Sequence, residues 1–126
     1  MEKRLKELRQ ITQMVLDVER MKLQRIAAEE KYITDQMGEM ESQSNRRAMQ
    51  LLTKGGSDLA LFAGADLRWD SWKQQKKRTL NTQRAALLAK RDVQRLSTVK
   101  AFGKDEAVRR LLENASEETK VETRRG

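Results

Sequence analysis

Apolar residues recur every three or four positions along most of this chain. From Leu8 the stripe passes through Ile11, Val15, Val18, Lys22, Ile26, Glu30, Ile33, Met37, Met40, Ser44, Ala48 and Leu51, and ten of these thirteen are apolar. Its mean step is 3.58 residues, between the coiled-coil repeat and the straight-helix repeat. That rhythm predicts a first helix over about 3–54, roughly 75 Å long and gently supercoiled. A disordered polar segment would not keep it.

The strongest interruption is Lys54-Gly55-Gly56-Ser57-Asp58. Glycine reaches left-handed angles without a Cβ clash and so ends helices, while Ser57 or Asp58 can accept hydrogen bonds from the next helix's free amides. A turn is therefore expected at 55–57. Gly38 reads as a glycine tolerated within a helix.

Beyond the turn, Leu59, Phe62, Ala65, Trp69, Trp72, Lys76, Leu80, Gln83 and Leu87 keep the same spacing. The stripe then slips by about one residue and resumes at Val93, Leu96, Val99, Gly103, Ala107 and Leu111. This predicts a second helix over about 58–113 with a stutter, or else a break at Gly103 followed by a short third helix. The apolar face is lost over 114–126, which reads as a frayed or disordered tail.

Helices this long need a partner for their stripes. The nearest is the other half of the chain, so the expected fold is all-α: a long antiparallel two-helix coiled-coil hairpin in one domain, 1–113. Dimerisation through both helices is the alternative. With the turn at Gly55-Gly56, facing residues should have numbers adding to about 111. Residues 29–41 then bring Glu29, Glu30, Asp35, Glu39 and Glu41 opposite Lys73, Lys76, Lys77 and Arg78. Opposed acidic and basic flanks are how coiled coils specify pairing. The apolar stripe did not require that agreement.

Composition supports helices. The 126 residues include no proline, six glycines, 37% charged and only 4% aromatic residues, a coiled-coil profile. The net charge of +8 would suit an acidic partner. Residues 71–104 hold ten Lys or Arg and one acid, but Lys73 to Arg78 are partly neutralised if the blocks pair. The excess then gathers toward the termini, through Lys3, Arg4, Lys6, Arg9, Arg84, Lys90, Arg91, Arg95, Lys100 and Lys104.

With neither histidine nor cysteine, the commonest general base, metal ligand and thiol nucleophile are missing. The chain is expected not to be an enzyme and to hold no metal or cofactor. Thr53-Lys54-Gly55-Gly56 has the residue types of a phosphate loop in the wrong order. No apolar run approaches the length of a membrane span, and the charged stretch from Met1-Glu2-Lys3-Arg4 leads us to expect no secretory signal. A cytoplasmic protein, an elongated monomer when isolated, is expected.

Trp69 and Trp72, with Phe62 and Arg68, form the most distinctive local feature. All three aromatics fall on the stripe, so packing is the first reading; the second is an aromatic anchor for a partner, since Trp and Arg are enriched at binding hot spots. Met14, Met21, Met37, Met40 and Met49 read as core. The candidate partner-binding residues are Arg68, Trp69, Trp72, Arg84, Lys90, Arg91, Arg95 and Lys100.

A short basic chain with a central break and heptad-like helices, with segments such as Asp58-Leu59-Ala60-Leu61-Phe62, Ala65-Asp66-Leu67-Arg68-Trp69 and Ala101-Phe102-Gly103-Lys104, resembles the FliJ-type stalk proteins of the bacterial flagellar type III export apparatus. The resemblance covers nearly the whole chain and is one of format, with no local motif that carries binding residues across. It implies a stalk inserted into a hexameric export ATPase, contacts with the export gate and export chaperones, and a place at the cytoplasmic face of the inner-membrane export apparatus. Two other readings stay open: a nucleic-acid binder using Arg84, Lys90, Arg91, Arg95 and Lys100 on phosphates, and a homodimeric structural coiled coil.

Overall fold

A computed structural model describes residues 1–53 and 59–126, with side chains described for 1–53 and 67–126. The expected turn at 55–57 lies outside the described residues, as do the side chains of Leu59, Phe62 and Ala65. Two helices are present, α1 (Glu2–Thr53) and α2 (Leu59–Arg125), with no strand among the described residues.

Local chemistry suits both helices. Neither contains proline, and Glu2 in the first turn of α1 and Arg124 and Arg125 in the last turn of α2 complement the helix dipole. Threonine competes with helix through its hydroxyl, but here that group folds back on a carbonyl, as when Thr34 donates to the Glu30 oxygen at 3.0 Å. α2 passes through Gly103 without a break and continues to Arg125, where the sequence suggests fraying from 114; residues 117–126 are exposed throughout.

The two helices pack against each other in two compact units, one formed by Met1–Ile26 with Lys90–Gly126 and one by Ala27–Ala89. In the second unit Ile33, Met40, Leu80 and Leu87 form the buried core, largely as the stripe predicts. Leu80 is only 2% exposed, and its burial stabilises by about 1.5–3 kcal/mol. Lys73, not Lys76, occupies the next inward position of α2.

The first unit departs from expectation. Its core residues are Leu16, Ala101 and Val108, with Leu5, Leu23, Ile26 and Leu112 half-buried. The expected seam positions Leu8, Ile11, Val15 and Val18 are exposed, as are Met14 and Met21. On α2 the expected Val93, Leu96, Val99 and Leu111 are also exposed, as are Gly103 and Ala107. The inward positions are Arg91, Gln94, Thr98, Ala101, Asp105, Val108 and Leu112. These continue the spacing from Leu87 in frame, so α2 has no stutter. On both helices of this unit the packed face differs from the most apolar one.

Candidate functional site

Polar side chains fill the gaps in the first unit's seam. Thr12 donates to Asp105 Oδ1 at 2.9 Å, and Arg9 Nε lies 3.3 Å from the same oxygen. Seven residues along α1, Glu19 accepts from the Gln94 amide through both its carboxylate and its backbone carbonyl. Thr98 completes the group, donating to the Gln94 carbonyl at 2.8 Å. Asp105 is 7% exposed, and a carboxylate so enclosed needs the Thr12 hydrogen bond and the Arg9 charge to offset lost hydration. The apolar stripe does not lead to this cluster. Its signal was a strict seven-residue repeat counted back from Ile33.

In the second unit, Glu41 bridges to α2. Its Oε1 lies 3.3 Å from Lys73 Nζ and 3.8 Å from Lys77 Nζ, and Lys73 also donates to Ser44 Oγ at 2.9 Å. Glu41 thus realises part of the expected opposition between blocks, at a different offset. Partner numbers across all these contacts, including Arg47 with Trp69, add to between 113 and 118 rather than about 111.

The tryptophans separate. Trp69 is half-buried, with the Arg47 guanidinium 4.6 Å and Lys73 Nζ 5.8 Å from its ring centroid. Those cation–π contacts occupy its face within the unit. Trp72 is 50% exposed and does not lie on the packed face as expected. Arg68 beside it is exposed. An open hollow of about 370 Å³ lies between Ser44, Arg47 and Leu51 on α1 and Leu67, Trp69 and Asp70 on α2. Arg84 is exposed at the rim of another, about 400 Å³, with Thr34, Met37 and Lys77.

Of the remaining candidate bases, Lys90, Arg95 and Lys100 are exposed, while Arg91 is half-buried on the packed side of α2. The first unit carries seventeen Lys or Arg against eleven Asp or Glu, net +6; the second carries ten against eight, net +2. Glu106, Arg109 and Glu113 form a local ladder, with Arg109 donating to Glu106 at 3.0 and 2.8 Å and to Glu113 at 2.5 Å. Arg109's hydrogen bond holds the Glu106 carboxyl below the usual glutamate range, with the charges of Arg109, Arg110 and Arg9 adding to it and partial desolvation opposing it. The same bond raises the Arg109 guanidinium.

Among the described residues, no group of three or more His, Cys, Asp or Glu is placed to hold a metal ion, and no helix is long and apolar enough to cross a membrane. These surfaces offer positive charge and exposed apolar side chains on helices. Comparison with protein-family models, with curated proteins and with solved structures finds no match.

Proposed function

We propose that this chain is a non-enzymatic coiled-coil stalk or adaptor of a bacterial flagellar type III protein export apparatus, and that its helices pair antiparallel. The helix pairing draws support from the contacts within each unit. In the first, Thr12 meets Asp105 and Glu19 meets Gln94; in the second, Glu41 meets Lys77 and Arg47 meets Trp69. Rising numbers on one helix thus meet falling numbers on the other.

The observation that carries the functional reading is the charge partition. The unit containing both chain ends has a net charge of +6 and exposes Lys90, Arg95 and Lys100 on α2. In this reading that unit abuts an acidic surface of a hexameric export ATPase. Trp72 and Arg68 are left to contact an export gate or chaperone.

The test is ATP hydrolysis by a purified export ATPase with and without the chain. Stimulation is expected, and K90E/R95E/K100E should lose most of it while keeping wild-type helicity by circular dichroism. Arg91 stays unaltered because it faces the packed side. Equal stimulation by wild type and triple variant would rule out the basic contact. Salt-sensitive binding to duplex DNA, abolished by the same variant and without any ATPase effect, would favour the nucleic-acid reading.

A further inference from the structure

On the first unit's part of α1, more large apolar residues are exposed than buried. Leu8, Ile11, Met14, Val15, Val18 and Met21 are each between 44% and 67% exposed. Leu8, Ile11, Val15 and Val18 are spaced three, four and three residues apart, the rhythm of a coiled-coil seam. Met14 and Met21 widen it with adaptable side chains. Continued outward in the same rhythm, the ladder meets Arg4 at one end and Lys22 and Arg25 at the other. All three are exposed.

We infer that this ladder is a second, unfilled seam that docks an acidic amphipathic helix of a partner protein. This goes beyond the export reading and rests on the burial pattern of α1 alone. The four core positions span about 15 Å of helix, so the occupant offers about two heptads of apolar residues with Asp or Glu at either end, opposite Arg4, Lys22 and Arg25. Charge complementarity of this kind fixes register and speeds encounter.

Other occupants fit less well. A second copy laid antiparallel on the same four core positions brings Arg4 of each chain opposite Lys22 of the other, and laid parallel it opposes every base to itself. In the antiparallel case Glu7 falls opposite Glu19, Asp17 falls opposite an Arg9 already paired with Asp105, and each copy's unit carries +6. A lipid surface favours Trp, Phe and Leu on the apolar face, whereas this ladder is Ile, Val and Met with a single Leu and gains nothing from seam spacing. On α2, Val93, Leu96, Val99 and Phe102 are exposed too, but strict steps of three wind off any one face.

The test is fluorescence anisotropy of the full chain with a labelled synthetic helix of about three heptads, carrying Leu and Ile at core positions and Glu beside them. Micromolar, salt-sensitive binding is expected. I11Q/V18Q should weaken it about tenfold or more, and V93Q/L96Q should leave it unchanged. Both pairs of sites are exposed, so helicity should hold and is checked by circular dichroism. The same helix with Lys for Glu should not bind. The inference is overturned if the acidic helix fails to bind or binds I11Q/V18Q as tightly as wild type. It is also overturned if those residues instead support self-association in sedimentation or binding to phosphatidylglycerol vesicles in preference to the peptide.

Discussion

Gly38 and Gly103 sit inside helices with nothing within 4 Å of where a Cβ would stand. Helix-interior glycine forgoes about 0.5–1 kcal/mol relative to alanine through backbone entropy. Gly38→Ala and Gly103→Ala should therefore each stabilise the fold by about that amount, read as a higher urea midpoint; destabilisation at either would mean its methyl meets an obstacle. Glu106 supplies a pH test. Its folded pKa is depressed by Arg109, so its contribution to stability is complete above the ordinary glutamate range and disappears as pH falls through the depressed value. Carboxyl carbon titration by NMR should show the low midpoint, and Arg109→Ala should return it toward the ordinary range. No residue-level reading could have placed Arg109 between Glu106 and Glu113 as a bridge; spacing of three and four allows it, as it allows many pairs that do not form.

Helices were legible at the scale of elements; which face of each is packed was only half legible. From Ile26 to Ser44 the expected stripe and the inward face of α1 coincide, because any repeat near 3.5 fits a short window. Counted back from Ile33, the packed face keeps 3.5 residues per step to Leu5, while the most apolar stripe runs at 3.58. A straight helix drifts about 20° per heptad from the strict repeat, so four heptads approach the 100° between neighbouring residues. From Val18 to Leu8 the most apolar stripe therefore leaves the packed face. On α2 the same habit turned Val93, Leu96 and Val99 into a stutter. The pairing predicts that T12C/D105C will join within one chain through a short thiol cross-linker. T12C/Q94C should not, since position 94 lies about 16 Å farther along α2. Equal yields would refute the observed register.

For the whole molecule, the gathering of charge toward the chain ends was readable because it is arithmetic on the sequence. Its division between units required knowing that 1–26 packs with 90–126. Arg91 shows the limit: among six candidate bases on α2 it alone turns inward, and only the frame of the packed face could have said so. The aromatic pair shows another, since Trp69 finds Arg47 across the helix pair while Trp72 does not. Near the termini α1 carries two combs of teeth roughly one residue's rotation apart, and only one is engaged. Grease alone would accept either setting. Lone pairs do not: with α1 turned by that one step, Thr12, Arg9 and Glu19 point away from Asp105, Gln94 and Thr98, stranding an enclosed carboxylate. A handful of polar atoms thus acts as the ward in a lock, leaving the greasier comb free for another key.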